Sequence, residues 1–248
     1  MKITIITVCY NAEKTIERTI QSVLNQDYQN IEYIIVDGLS KDSTMEIVLK
    51  YSNRIARIFS EHDLGMYDAI NKGIKSSTGN IIGILNADDF FSNNYVISKI
   101  ANKFKSNIKL DAIYGDVTFI DESDKIKRRY SSSIWKPNRF IFGLMPAHPT
   151  FYCKKNLFYD LGFYKLNFKI AADFELLIRF FKKNKLNYLY IPESLVNMKL
   201  GGKSTSGLKS TILLNKEILY ACKINNLKTN FFMIYLKYVY KIFEYIQK

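Results

Sequence analysis

The chain has 248 residues, 48% of them hydrophobic, which suits one large domain or a domain with an appendage around a packed core. A formal net charge of +13 favours anionic partners, whether nucleic acid, anionic lipid or phosphorylated substrates; a Lys-, Asn-, Ile- and Tyr-rich composition produces the same balance, so charge alone does not choose among them. Cys9, Cys153 and Cys222 show neither metal spacing nor a disulfide framework, His62 and His148 are too few for a histidine-rich zinc site, and no stretch has the form of a signal peptide or a bilayer span, so a reducing cytoplasm is expected.

The first half alternates between two periods. Ile3 to Val8 is a β-branched run and reads as a strand. Ala12 to Asn25 puts Ile16, Ile20, Val23 and Leu24 on one helical face. A strand over Ile31 to Val36, a helix over Asp42 to Tyr51 with Met45, Ile47, Val48 and Leu49 mostly inward, a short strand over Ile55 to Phe59 and a helix over Met66 to Lys75 follow. Gly79-Asn80 then turns into the apolar run from Ile81 to Leu85. Strands alternating with helices predict βαβ units and a parallel sheet whose strand ends share one face.

Beyond Asp89 the pattern loosens. Tyr95 to Phe104 reads as a helix, Ala112 to Ile120 as a strand, Asp121 to Asp124 as a hairpin turn, and Trp135 to Pro149 as loop. Ala171 to Phe181 is a strong helix, with Ile170, Phe174, Leu177 and Ile178 read as core. Leu186 to Ile191 is a strand ending at Pro192, Gly201 to Gly207 a flexible polar loop, and Ser210 to Ile224 and Asn230 to Gln247 two further helices. No internal repeat or low-complexity linker appears.

The apolar run ending in Asn86-Ala87-Asp88-Asp89 is the strongest functional signal. Two neighbouring carboxylates repel unless a cation or a buried proton compensates them, and the carboxyl ends of strands are where open α/β sheets hold ligands. Hard oxygen ligands on a loop suit Mg²⁺ or Mn²⁺. Three more polar segments fall at predicted strand ends: Thr7 to Asn11, Val36 to Thr44, and Ser60 to Ala69 with Asn71, Lys72 and Gly73. One such loop is an ordinary helix cap. The set describes a polar pocket above the sheet.

In combination, VCYN, VDGLSKDST, the stretch Asp63 to Gly73, LNADD and AADFELLIR resemble the family 2 inverting glycosyltransferases, over roughly Lys2 to Leu200. His148-Pro149-Thr150-Phe151 ahead of Leu161-Gly162-Phe163, and Gly201-Gly202-Lys203-Ser204, resemble the bacterial branch that builds capsule, exopolysaccharide and lipopolysaccharide. The resemblance implies a nucleotide-diphospho-sugar transferase (GT-A type) α/β fold with a mostly parallel central sheet flanked by helices and a C-terminal helical extension. Residues 1–205 would form the catalytic domain, 1–90 being its nucleotide-binding half and 91–205 its acceptor-side half, with 206–248 the extension. It also implies a metal-dependent hexosyl- or N-acetylhexosaminyltransferase, with a UDP-sugar as donor and a growing, lipid-linked surface glycan as acceptor.

The roles implied are as follows. Asp37 would accept from the nucleobase edge, with Tyr10 packed on base or ribose and Thr7 to Asn11 lining the pocket. Asp63, Asp68, Asn71 and Lys72 would border ribose and pyrophosphate, although Lys72 reads equally as a solvated helix lysine. The family's Asp-x-Asp is here Asn86-Ala87-Asp88: Asn86 can accept from ribose but carries no charge, which leaves Asp88 as the main ligand of Mn²⁺ or Mg²⁺ and Asp89 as a second ligand or orienter. Asp173 matches the general base, Glu175 and His148 the acceptor side, and Lys203 a cation over the diphosphate; His148 reads equally as a structural hydrogen-bonding residue.

Asn230 to Lys248 is aromatic and interrupted by Lys237, Lys241 and Glu244. It reads as a basic helix lying on an anionic membrane, or as a helix packed in the core or in a homodimer. The expected location is therefore the inner face of the cell membrane, peripherally. The alternative function is an inactive nucleotide-sugar or membrane-binding module of the same fold. A Rossmann oxidoreductase is disfavoured because Cys9-Tyr10-Asn11-Ala12-Glu13 lacks the glycine-rich turn, and a nucleic-acid partner because the basic residues are dispersed and carry no binding motif.

Overall fold

The computed structural model of the chain describes residues 1–183, 186–199 and 207–246. Four parallel strands form its first half in the order β3-β2-β1-β4: β1 (Ile3–Cys9), β2 (Ile31–Asp37), β3 (Arg57–Ser60) and β4 (Ile81–Ile84). The β-branched run of β1 is buried on both faces, Ile6 and Val8 in one core and Ile3 and Ile5 in the other, as a central parallel strand requires. The crossovers are α1 (Ile16–Leu24), α2 (Thr44–Leu49) and α3 (Met66–Ser76), and they bring the carboxyl ends of these strands to one edge. In α2 only Thr44 and Val48 are buried; Leu49, expected inward, is exposed because the helix is too short to cover the sheet with a second turn.

Past β4 the sheet is mixed. β8 (Tyr152–Lys154) runs antiparallel between β4 and β6 (Ala112–Ile120), and β9 (Tyr188–Lys199) runs parallel to β6. β5 (Asp89–Phe91) pairs antiparallel with the end of β9, and β7 (Ile126–Tyr130) folds back on β6 across the turn at 121–124. β9 does not stop at Pro192. Tyr114 pairs with Tyr190 and Asp116 with Ser194, so the proline sits in a bulge where its missing N–H breaks no ladder bond. β5, β7 and β8 are too short to show a period of their own.

Helices cover both faces. α1, α2 and α4 (Val96–Ser106) pack against one core, and α3, α5 (Asn156–Leu161) and α6 (Ala172–Lys183) against the other. α7 (Leu208–Ile224) joins that second core through Ile218, Ala221 and Cys222, and α8 (Phe231–Ile246) through Ile234. The start of the expected extension is thus continuous with this core. No helix among the described residues is long and apolar enough to cross a membrane, and all three cysteines are buried free thiols.

The central strand tolerates one side chain poorly. A Cβ at Gly83 would lie 2.1 Å from the Tyr152 ring on β8. Gly83→Ala is expected to cost about 1–3 kcal/mol by overpacking, read as a lower urea midpoint at unchanged slope.

Candidate active site

The donor side grows from the ends of β1, β2 and β3. Asp37, the last residue of β2, is fully buried. Its carboxylate accepts from the Ser40 amide at 3.1 Å, from the Ser40 hydroxyl, and from the Ser60 hydroxyl at 2.7 Å, so donors from two loops stabilise its charge. Burial and this neighbouring carboxylate push the Cys9 thiol up, which leaves Cys9 unreactive. Asn11, at φ 50°, accepts from Lys41 N at 2.8 Å and donates its own amide to Ser40 Oγ at 2.8 Å, tying the β1 loop to the β2 loop. Gly38 sits where the loops close: a Cβ there would meet Asp63 Oδ2 at 2.6 Å and the Tyr10 ring at 3.5 Å. Tyr10 is 52% exposed, an aromatic face open at the rim. Thr7 turns its hydroxyl inward, where it accepts from Tyr33 at 3.1 Å, so only its backbone belongs to the loop's inner wall.

The β3–α3 loop is braced internally. Asp63 Oδ1 accepts from Gly65 N at 2.7 Å, and Asp68 Oδ2 from Leu64 N at 3.1 Å. Lys72 donates to His62 O at 2.8 Å and pairs with Glu61 at 3.2 Å and Asp68 at 3.7 Å. Its charge is shared with these carboxylates, so it neither borders a phosphate alone nor sits free in solvent. Asn71 belongs to the expected donor set. It is buried and spends its amide on the backbone of Tyr164, giving Nδ2 to the carbonyl at 2.8 Å and taking the N–H at 3.0 Å, which locks α3 to the acceptor side.

At the end of β4 the chain is held by Thr19 of α1, whose hydroxyl lies 3.0 Å from Ala87 O and 2.7 Å from Asp89 O. The carboxylates then separate. Asp88 is half-buried at the edge, whereas Asp89 opens β5 and is 1% exposed. Burial, and next the charge of Asp88, push Asp89 well above the usual carboxylate range. Asp89 is therefore an inward group. Asn86 donates to it at 3.3 Å, a bond that an ionised aspartate at this position could not make. Among the described residues no group of three or more His, Cys, Asp and Glu side chains could enclose a metal. One accessible carboxylate fits a divalent cation only when diphosphate oxygens complete its shell, which is how Mg²⁺ is commonly held.

The acceptor side is built on the start of α6. Asp173 is half-buried, and its Oδ1 accepts from the Phe174 amide at 2.7 Å. Burial raises its proton affinity and His148 opposes the rise. His148 Nε2 lies 2.8 Å from Tyr164 OH, and burial lowers its own pKa against the pull of Asp173, so a neutral imidazole lies within electrostatic reach of Asp173. Tyr164 stacks on Tyr67 with ring centroids 5.7 Å apart, and Tyr67 OH donates to Ile170 O. Glu175 is expected on the same acceptor side. It is fully buried and pairs with Arg179 at 2.9 Å and Lys165 at 2.8 Å. Lys203 lies outside the described residues.

Tyr10, Asp37, Asp63 and Asp88 thus lie at or just beyond the carboxyl ends of β1 to β4, and His148 lies within electrostatic reach of Asp173. Residues not anticipated are Ser40 and Ser60, which satisfy Asp37, the Tyr67–Tyr164 stack, and Glu217 and Arg179, which hold loops from helices behind. Tyr67 and Arg179 stood inside recognised motifs; Glu217 had no local signal beyond helical periodicity.

A profile of glycosyl transferase family 2 matches residues 4–171. The chain belongs to glycosyl transferase family 2. It is similar to a PGL/p-HBAD biosynthesis glycosyltransferase of Mycobacterium tuberculosis, 26% identical over 214 residues that cover 84% of this chain and 79% of the relative. In fold it is similar to TarS residues 1–349 of S. aureus, with TM-score 0.66, 18% identity and coverage of 89% of this chain and 65% of that one. It is also similar to a mannosyltransferase of Pyrobaculum calidifontis solved with GDP-Man and Mn²⁺, with TM-score 0.67, 17% identity and coverage of 92% and 66%. The chain thus spans just under two thirds of these solved chains. The family and these likenesses agree on a glycosyltransferase with a GT-A-like α/β fold and a mixed sheet flanked by helices.

Proposed function

We propose that this glycosyltransferase inverts configuration while moving a sugar from a UDP-sugar to a glycan acceptor, with Asp173 as base and Asp88 at the donor diphosphate. The observation that carries the reading is the placement of a buried, hydrogen-bonded Asp37, an edge carboxylate at Asp88 and a proton-hungry Asp173 at one end of the sheet. TarS 1–349 has been solved with UDP-GlcNAc, which supports a UDP-sugar as donor.

Asp37 would accept from the uracil N–H in a pocket closed by Tyr10 and Gly38, and Asp63 would face the ribose. Asp173 would take the proton of an acceptor hydroxyl as that oxygen bonds to the anomeric carbon and the bond to the diphosphate oxygen breaks, its electron pair leaving with UDP. One displacement inverts the centre, so no nucleophilic residue is needed. Asp88 would hold a divalent cation, which would supply positive charge against the departing diphosphate. Neutral His148 can hydrogen-bond the acceptor or steady Tyr164.

A lipid-linked acceptor and a peripheral membrane location belong to the same proposal. Phe231, Phe232 and Tyr235 are exposed at the start of α8, Phe232 at 75%, beside exposed Lys228; aromatic side chains next to lysine suit an anionic headgroup layer. A homodimer through this face is the other reading of the same patch.

A thermal-shift series with nucleoside diphosphates and nucleotide sugars, with and without Mn²⁺, tests the donor site. Saturating UDP at 100 times its Kd is expected to add about 2.7 kcal/mol of stability, with the Mn²⁺-dependent part lost in Asp88→Ala. No shift with any nucleotide would sink the reading.

A further inference from the structure

Helix α7 reaches into the neighbourhood of the base. Glu217 is 9% exposed, and its carboxylate turns onto the segment ahead of α6. Oε1 accepts from the Lys169 amide at 2.8 Å, and Oε2 from the Ile170 and Ala171 amides, each at 2.9 Å. Consecutive N–H groups thus converge on one carboxylate. Ala171 O accepts from Glu175 N at 3.1 Å, so Ala171 is the residue at which the helix begins, and its own side chain offers no cap. The amide of Ala171 and the two before it find their acceptor 46 residues beyond Ala171 along the chain.

The same peptide is gripped from the other side, where Tyr67 OH on α3 donates to Ile170 O. Residues 169–171 are therefore clamped between α7 and α3, and Asp173 projects two residues later from the first turn of α6. A neutral Ser or Asn cap would satisfy an amide as well. A carboxylate does something more, because it places a negative charge near a group that must receive a proton.

We infer that Glu217 is a positioning residue for Asp173: it fixes the peptide from which the base projects and supplies a negative charge within its electrostatic reach. The groups around Asp173 are Tyr67 from α3, His148 from the turn at 148–150, Tyr164, and Glu217 from α7. Burial and Glu217 favour the protonated acid, and His148 opposes them. Removal of the Glu217 charge should therefore let Asp173 lose its proton at lower pH and weaken it as a base. This inference rests on the reading of Asp173 as the base.

The test uses the full chain with Glu217→Gln and Glu217→Asp. The probe is Mn²⁺-dependent release of UDP from UDP-N-acetylglucosamine, with water as acceptor, followed against pH. Amide hydrogen exchange of the segment 166–174 is measured beside it. Glu217→Gln is expected to lower kcat by about tenfold or more, since small misplacements of reacting groups are costly. It should also leave UDP affinity within about twofold, move the acid limb of the kcat profile to lower pH, and speed exchange in the segment. Glu217→Asp keeps the charge on a shorter arm, so kcat should fall while the acid limb stays in place; it carries the test if Glu217→Gln does not fold. A fall in kcat that only follows thermal stability, with the acid limb and exchange unchanged, overturns the inference, as does an unchanged kcat in Glu217→Asp. A wild-type chain that binds no nucleotide and releases no UDP fails the proposed function itself, before any variant is made.

Discussion

Asp173→Asn is expected to lower kcat by about 10²–10⁴-fold, the usual contribution of a positioned general base, while UDP binds as it does to the wild type. The substitution keeps the shape of the side chain and its acceptor for the Phe174 amide, so the loss falls on proton transfer and not on the fold. Stability offers a second readout, and its sign is opposite. The folded-state pKa of Asp173 is raised, first by burial, so the folded protein holds this proton more tightly than the unfolded chain does. Its contribution to stability is thus full below the ordinary aspartate value of 3.8 and is lost as pH rises through the elevated folded value. Asn needs no ionisation. Asp173→Asn should therefore melt no lower than wild type at neutral pH while being inactive, and a variant that kept more than about a tenth of wild-type kcat would remove Asp173 from the base role. The wild-type activity itself should fall on acidification at a pH above the usual carboxylate range, because the base must be ionised to act.

The parallel half of this protein was open to reading in the sequence because strand and helix periods alternate cleanly from Ile3 to Ile84 and β1, β2 and β4 are buried on both faces, with only the edge strand β3 partly exposed. The second half was not, for reasons visible in particular residues. β5 and β8 are three residues each and exist only because β9 and β4 offer edges to pair with. Pro192 is a reliable breaker by itself, yet a bulge absorbs it. The site divides in the same way. Asp37, Asp88 and Asp173 follow from motif and strand-end position, since a carboxylate after an apolar run has few other places to go. Asp89, Asn71 and Glu175 lie within the same motifs but turn inward, and neighbouring letters cannot reveal which of two adjacent acids faces solvent. That distinction depends on β5 pairing, on Tyr164 meeting Asn71, and on Arg179 meeting Glu175, all long-range contacts.

Arg179→Met is expected to cost about 3–5 kcal/mol, the usual penalty for breaking a buried ion pair from one side. Glu175 is fully buried and Arg179 is 5% exposed, one helical turn apart on α6. The guanidinium also donates to the carbonyls at the end of α5: to Leu161 O, to Gly162 O at 2.6 Å and to Phe163 O at 2.8 Å. These lead directly into Tyr164, which holds His148. Removing Arg179 strands a carboxylate that only Lys165 and the Asn225 amide still contact, and frees the peptide that carries Tyr164, so kcat should fall together with stability. The double variant Glu175→Met with Arg179→Met removes both charges and should lose less than Arg179→Met alone, because no buried charge is left unpaired. Acid provides an independent check. Burial alone would raise the Glu175 pKa, but Arg179, Lys165 and Asn225 together hold it below the ordinary glutamate value of 4.5. The stability it supplies is thus present above that value and is lost as pH falls through the lower folded one. In the double variant that part of the acid sensitivity disappears. Urea midpoints for the three proteins at neutral and acid pH measure both effects. A loss in Arg179→Met below about 1 kcal/mol, the level of an exposed pair, would show that this pair is not sealed in the core.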